Sequence, residues 1–277
     1  MRIFYLLILL LACQKSKKAT ETPQPQREVR TITYNNIRVD VVLERPAATT
    51  ADVLLLYHGT VVLDSRILDA AHTTLDQFKA ILDRKDMLLI SVAYPEENLL
   101  IGDNMAQSEA ALLWVKNNAA RDLGITIKKI FLAGHSQGGY LVTRLNTLHA
   151  TNGVIANAPG PLNLVYRCQS EELSQISASV ACTQLRNTYG TTTANPGAYF
   201  QRSLRNFITG YKSDILFVQG LNDAAIQMYS WPSFKQEVTN CTNCKERLFE
   251  EVPGGGHTAL FNNPAAKAAF NSFINSR

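Results

Sequence analysis

Ser136 lies at the centre of a short glycine-rich sequence, Gly134-His135-Ser136-Gln137-Gly138-Gly139. An apolar run at residues 130–133 precedes it and an amphipathic stretch at residues 137–149 follows it, which predicts a strand, a tight turn and a helix. Such a turn strains the backbone at the serine, and glycines at positions 134 and 138 remove side chains that would otherwise collide. The turn also exposes the hydroxyl at its tip. Ser136 is therefore a candidate nucleophile, and a nucleophilic serine needs a neighbouring base.

The candidate base is His257, one of five histidines in the chain. It lies in a glycine-rich loop, after a strand-like stretch at residues 247–252 and before a helical stretch at residues 264–276. A loop in this position can carry an imidazole back over the edge of a sheet to the serine. The alternative interpretation is a surface histidine without a catalytic role.

The candidate acid is Asp223, which follows a buried-strand pattern at residues 215–218 and a turn that Gly220 begins. A carboxylate just past the C-terminal end of a strand can hold the imidazole in the required tautomer and stabilise the imidazolium. Asp214 lies at the opposite end of the same strand. The alternative is that Asp223 only caps the helix that begins near residue 224.

These three residues require a scaffold that gathers the ends of several strands. Segments with helical periodicity lie between most of the strand-like segments. This alternation predicts an α/β domain with a mostly parallel central sheet and helices on both faces. The predicted strands are a hairpin at residues 29–34 and 37–43, followed by residues 53–57, 87–93, 130–133, 153–157, 215–218 and 247–252.

The third predicted strand runs into His58-Gly59-Thr60. With a serine, an aspartate and a histidine in that chain order, the sequence resembles the α/β-hydrolase superfamily, in which a His-Gly pair commonly ends the third strand. The resemblance covers residues 29–277 and implies a catalytic domain there. It also implies that the backbone N–H groups of Thr60 and Gln137 form an oxyanion hole, in which one donor contributes on the order of 3 kcal/mol.

The activity that this resemblance implies is serine hydrolysis of carboxylic esters through an acyl-enzyme intermediate, without a metal or organic cofactor. The expected substrate is a small ester or a short peptide. A peptidase related to prolyl oligopeptidase is an alternative with the same fold and residue order, although the chain is too short for the β-propeller of a large gated peptidase. A lipid-anchored binding protein on a decayed hydrolase scaffold is a third interpretation, which the intact Ser136, Asp223 and His257 disfavour.

Residues 159–211 interrupt the alternation because they contain no strong strand pattern. The superfamily resemblance suggests a cap, or lid, over the site, whereas the alternative is a helical excursion that only packs on the sheet. Its aromatic side chains either line an apolar substrate pocket or form the core of the cap; they are Tyr166, Tyr189, Tyr199, Phe200 and Phe207.

The N-terminus has the pattern of a targeting segment. Arg2 precedes an apolar run of ten residues, which is about 15 Å of helix and too short to span a bilayer, so residues 1–12 are predicted to be a signal peptide. The ending Leu10-Leu11-Ala12-Cys13 resembles the lipobox of bacterial lipoproteins, which implies lipidation of Cys13. Residues 13–28 are then a disordered tether, and the protein is expected on a membrane of a bacterial cell envelope, facing the periplasm or the surface. The alternative is a non-lipidated signal peptide.

Four cysteines follow Cys13, and export implies an oxidising compartment in which an even number predicts disulfides. Proximity in sequence favours Cys168–Cys182 and Cys241–Cys244 over the other two connectivities. A redox-active Cys-x-x-Cys at residues 241–244 and a zinc site are weaker alternatives, because the first belongs with a thioredoxin-like unit and the second lacks another ligand pair. The net charge of +4 is spread along the chain, which disfavours nucleic-acid binding.

Overall fold

The computed structural model describes residues 26–277, and one eight-stranded sheet runs through them. The strands are β1 (Gln26–Tyr34), β2 (Ile37–Arg45), β3 (Thr50–Tyr57), β4 (Leu88–Ala93), β5 (Thr126–His135), β6 (Gly153–Asn157), β7 (Ile215–Gly220) and β8 (Arg247–Val252). Their spatial order is β1-β2-β4-β3-β5-β6-β7-β8. The β1–β2 and β2–β4 pairs are antiparallel and all other neighbours are parallel. The predicted α/β class with a mostly parallel sheet is confirmed.

Helices cover both faces of the sheet, and for this reason β4, β6 and β7 are buried along their whole length. Successive residues of one strand enter different cores: Leu55 packs with Trp114 and Trp231 on one face, and Leu54 packs with Phe78 and Phe270 on the other. The helices are α1 (Ile67–Ile81), α2 (Met105–Asn117), α3 (Ala119–Leu123), α4 (Gln137–Leu148), α5 (Leu164–Glu172), α6 (Val180–Tyr189), α7 (Pro196–Phe200), α8 (Ala225–Thr239), α9 (Ala259–Asn262) and α10 (Pro264–Asn275).

The sheet begins earlier in the chain than predicted. The tether predicted for residues 13–28 is wrong at its C-terminal end, because β1 starts at Gln26. Charge pairs across the hairpin explain the difference: Arg27 bonds Glu44 at 2.7 Å, and Glu28 accepts from Arg45 at 3.1 Å. The predicted signal peptide, Cys13 and the remainder of the predicted tether lie outside the described residues.

Residues 159–211, the cap segment, contain α5, α6 and α7 and have a small core of their own. Cys168 and Cys182 form a disulfide that joins α5 to α6 inside this core. The two ends of the cap segment meet, because the N–H of Leu204 donates to the carbonyl of Pro161 at 2.9 Å and a second such bond follows it. The cap segment is therefore a closed excursion from the sheet between β6 and β7.

The second predicted disulfide, Cys241–Cys244, forms in the turn between α8 and β8. Within residues 26–277, no helix has both the length and the apolar character that crossing a membrane requires.

Candidate active site

Ser136 occupies the turn between β5 and α4 in a strained backbone conformation, with φ 57° and ψ −117°. The two glycines around it are required by the close approach of neighbouring backbone. A methyl group on Gly134 would lie 2.2 Å from the carbonyl carbon of Gly138, and one on Gly138 would lie 2.0 Å from the carbonyl oxygen of Tyr57. The N–H of Ser136 donates to the carbonyl of Asn157 at 2.9 Å, which anchors the turn to β6.

Asp223 and His257 form a hydrogen-bonded pair, in which Oδ2 of the carboxylate and Nδ1 of the imidazole are 2.8 Å apart. The Asp223 side chain is only 4% exposed, while that of His257 is 45% exposed. Burial alone would raise the pKa of Asp223, but hydrogen bonds from His257, Gln219 and the backbone N–H of Ala224 together hold it below its usual value. Asp223 is therefore ionised at neutral pH and can orient the ring.

The loops that carry this pair are joined through their backbones. The N–H of Asn222 donates to the carbonyl of Gly255 at 2.7 Å, and the N–H of Leu221 donates to the carbonyl of Val252 at 3.0 Å. These bonds extend the parallel pairing of β7 with β8 beyond the ends of both strands. The positions of Asp223 and His257 are consequently fixed relative to each other.

The two residues of the predicted oxyanion hole are in contact. The hydroxyl of Thr60, in the loop after β3, donates to Oε1 of Gln137 at 2.9 Å. Gln137 is the first residue of α4, and the N–H groups of a helix's first turn have no partner within the helix. The same loop approaches the nucleophile closely, since a methyl group on Gly59 would lie 3.4 Å from Cβ of Ser136.

Two further histidines near the site are neutral at neutral pH, and of these His58 is buried and His135 is half-buried. The ring of His58 stacks on that of Tyr94 with centroids 3.9 Å apart, and burial lowers the pKa of His58 to about 4. The ring of His135 packs against that of His257 with centroids 4.8 Å apart, and burial, followed by the proximity of His257, lowers the pKa of His135 to about 4. Both act through packing rather than through proton exchange at neutral pH.

A cavity of about 450 Å³ opens beside Ser136 and His257. Its lining comes from the loops after β3 and β4, from the cap segment and from the start of α8, and most of it is apolar. The apolar lining residues are Val61, Val62, Leu99, Leu100, Ile101, Pro161, Leu164, Val180, Ala181, Ala224 and Ile226.

The structure brings Ser136, His257, Thr60 and Gln137 to one cavity and pairs His257 with Asp223. Among residues 26–277, no hydrogen bond joins the Ser136 hydroxyl to His257. Within the same range, no group of three or more His, Cys, Asp or Glu side chains is arranged to hold a metal ion. The aromatic residues of the cap segment do not line the cavity; Tyr199, for example, is buried in the core of the cap.

Sequence reasoning missed two polar residues of this region. Gln219, the penultimate residue of β7, donates to Asp223 at 3.0 Å. Glu96 lies just after β4 and lines the cavity. Only their positions in the sequence could have indicated a role for these two residues. Polar residues at the C-terminal ends of parallel strands lie where such sheets bind their ligands.

No family model and no curated protein matches this chain, but solved structures resemble it. Est1E from Butyrivibrio proteoclasticus has a TM-score of 0.61 at 15% identity over 90% of this chain and 98% of its own. An esterase from Pyrobaculum calidifontis has a TM-score of 0.64 at 14% identity over 92% of this chain and 86% of its own. The acylaminoacyl peptidase of Pyrococcus horikoshii has a TM-score of 0.65 at 12% identity, over 91% of this chain but 42% of its own.

At such identities the likeness concerns the fold. The eight-stranded, mostly parallel sheet with its helices matches the fold of these neighbours. The protein therefore has the α/β-hydrolase fold.

Proposed function

We propose that this protein is a serine hydrolase that cleaves carboxylic esters, with Ser136 as nucleophile, His257 as base and Asp223 as the acid that orients it. The observation that carries the proposal is the 2.8 Å pair of Asp223 and His257, on the wall of the cavity that Ser136 also lines. The missing bond between Ser136 and His257 is compatible with it, because catalytic hydrogen bonds in unliganded sites are often long and tighten with substrate.

In the proposed reaction, Nε2 of His257 takes the proton of Ser136 as Oγ attacks the ester carbonyl. The N–H groups of Thr60 and Gln137 stabilise the resulting oxyanion. His257 returns the proton to the departing alcohol, which leaves an acyl-enzyme. A water molecule, deprotonated by His257, then attacks the acyl group, and the carboxylic acid leaves as the proton returns to Ser136.

The apolar cavity supports an ester with an apolar acyl or alcohol group, because most of its wall offers no hydrogen-bonding partner. Two of the structural neighbours are esterases, which favours the same substrate class. A peptidase is the second candidate, since a third neighbour is an acylaminoacyl peptidase. We further propose that the cap segment acts as a lid, since Leu164 and Val180 of that segment contribute to the cavity wall.

Labelling with a fluorophosphonate tests the nucleophile. Wild-type protein is expected to react at Ser136, because an activated serine attacks the phosphorus, and Ser136→Ala is expected not to react. Ser177→Ala, which changes an exposed serine of the cap segment, is the matched control and should be labelled like wild type. Equal labelling of wild type and Ser136→Ala would contradict the assignment.

A substrate panel separates the two candidate activities. We expect p-nitrophenyl esters to be hydrolysed with higher kcat/KM than aminoacyl or dipeptidyl amides, with a ferulate ester included because one Est1E structure has ferulic acid bound. Faster turnover of any amide than of every ester would favour the peptidase.

We also propose that Cys13 is lipidated and holds the protein on a membrane of the bacterial cell envelope. The support is the sequence Leu10-Leu11-Ala12-Cys13 at the end of an apolar run. The full chain is expected in the membrane fraction, and Cys13→Ser is expected to release it. A wild-type protein recovered entirely in the soluble fraction would contradict this proposal.

A further inference from the structure

Glu96 joins the two loops that surround the proposed oxyanion hole. It lies in the loop after β4, three residues beyond Ala93, and lines the same cavity as Ser136 and Gln137. Its backbone N–H and that of Glu97 both donate to Oδ1 of Asp64 at 2.8 Å, and the N–H of Asp64 donates to Glu97 at 2.9 Å. The loop after β4 is therefore fastened to the loop that continues from Thr60.

The Glu96 carboxyl faces three polar groups of the oxyanion region: the backbone of Val61, the hydroxyl of Tyr94 and the side-chain amide of Gln137. Oε1 of Gln137 already accepts from Thr60, so the amide has only its two N–H bonds left to donate. A carboxyl oxygen is the acceptor that this amide requires. Oε1 of Glu96 is itself buried without a hydrogen bond of normal geometry.

The hydroxyl of Tyr94 also favours the protonated form of Glu96. The Tyr94 hydroxyl donates its single hydrogen to the carbonyl of His58, so it offers Glu96 only lone pairs, to which a protonated carboxyl can donate and a carboxylate cannot. Burial raises the pKa of Glu96 to about 8 although hydrogen bonds from Val61 and Gln137 oppose the shift, and the negative charge of Asp64 raises the pKa further.

The other ionisable groups on this cavity are His257 and Arg167. Ionised Glu96 would introduce a negative charge beside the N–H groups that receive the oxyanion, and like charges at short range oppose each other. The protonated carboxyl carries no such charge.

On the basis of the proposed function, we propose that Glu96 is a positioning residue for the oxyanion hole. Its neutral carboxyl bridges the loop after Thr60 and the side chain of Gln137. Its ionisation places a negative charge beside the hole and so prevents the hole from stabilising the oxyanion. Glu96 then determines the alkaline limit of activity without contacting the reacting atoms.

The test is the pH dependence of kcat/KM for a p-nitrophenyl ester between pH 6 and 10, with Ser136→Ala as the blank for spontaneous hydrolysis. For a single ionisation near pH 8, wild type should lose about tenfold between pH 7 and pH 9. Glu96→Gln keeps a neutral acceptor that cannot ionise, so it should lose less than about twofold over the same interval. Glu246→Gln, which alters an exposed carboxyl outside the cavity, should lose as much as wild type.

An equal alkaline loss in Glu96→Gln and wild type would overturn the role of Glu96 while leaving the ester hydrolase proposal intact. Absence of any Ser136-dependent turnover in wild type would instead refute the proposed function, and the positioning role with it. These two failures are therefore distinguishable in one set of assays.

A stability measurement checks protonation independently of activity. Because the folded pKa of Glu96 is raised, the folded state binds more protons than the unfolded state from about pH 4.3 to about pH 8, and wild type loses stability as pH rises through that window. The Tm of Glu96→Gln minus that of wild type should therefore be more positive at pH 8 than at pH 5. A Tm difference that does not change with pH would contradict the claim that the Glu96 carboxyl is neutral in the folded protein.

Discussion

Replacing Gly138 by alanine tests whether the serine turn depends on close backbone packing. The added methyl group would lie 2.0 Å from the carbonyl oxygen of Tyr57 and 2.7 Å from that of His58, where ordinary contacts begin at 3.4 Å. The obstructing atoms belong to the backbone at the end of β3 and cannot rotate away. Relief requires α4 and β3 to separate by about 1.4 Å, the difference between 3.4 and 2.0 Å.

The expected cost appears both in stability and in catalysis. Overpacking of this kind typically destabilises by about 1–3 kcal/mol. The same movement displaces Ser136 from the loop of Thr60, and a misplacement of about 1 Å costs roughly 100-fold in rate. A 100-fold loss corresponds to about 2.7 kcal/mol of transition-state stabilisation. We therefore expect kcat/KM for a p-nitrophenyl ester to fall at least about 100-fold in Gly138→Ala.

The control is Gly124→Ala, which also changes a glycine but leaves the site untouched. Gly124 has a φ of +62° and no atom within 4 Å of an added methyl group, so the change costs about 1–2 kcal/mol of backbone strain without a change in kcat/KM. Tm and kcat/KM are measured for both variants. A Gly138→Ala protein with wild-type Tm and wild-type kcat/KM would refute the reasoning.

Two further predictions concern Asp223 and His58. Asp223→Asn should lower kcat on the order of 10⁴-fold, because an amide cannot stabilise the imidazolium or select its tautomer; a loss below tenfold in a folded variant would contradict Asp223 as the acid. The pKa of His58 is about 4 when folded, so the unfolded chain binds its proton first and wild type loses stability as pH falls from about 6.5 to about 4. His58→Phe should therefore lose about 3 kcal/mol less than wild type between pH 7 and pH 4 in urea unfolding, and an equal loss in both would show that His58 does not bury a neutral ring.

The sheet could be predicted from the sequence because most of its strands contain a short apolar run bounded by turn residues. Eight segments were predicted and eight strands are present in the described residues. The start of β1 was not predictable from its own residues, since Arg27 and Glu28 are polar and join the sheet through charged partners on β2. Pairing with β2 stabilises these residues in the sheet, and the sequence pattern around them does not reveal that contribution.

The candidate site was predictable to the extent that its residues follow strands. Asp223 and His257 each come shortly after a predicted strand, and the neighbouring positions of β7 and β8 bring them together. Glu96 was not predictable, because its significance comes from burial beside Gln137 and Val61, which are distant in sequence. The aromatic residues of the cap segment were also ambiguous, because a small helical unit needs large side chains for its own core.

The meeting of the two ends of the cap segment has a consequence for how the wall of the cavity could change. Because Leu204 bonds Pro161 where the excursion leaves and rejoins the sheet, the intervening chain can be lengthened, shortened or exchanged without moving β6 or β7. The hydrophobic core of the segment and its disulfide both lie within that intervening chain. Evolution or protein engineering can thus exchange this segment, and with it one wall of the cavity, as a single unit. The strand ends that hold Ser136 and Asp223 keep their positions.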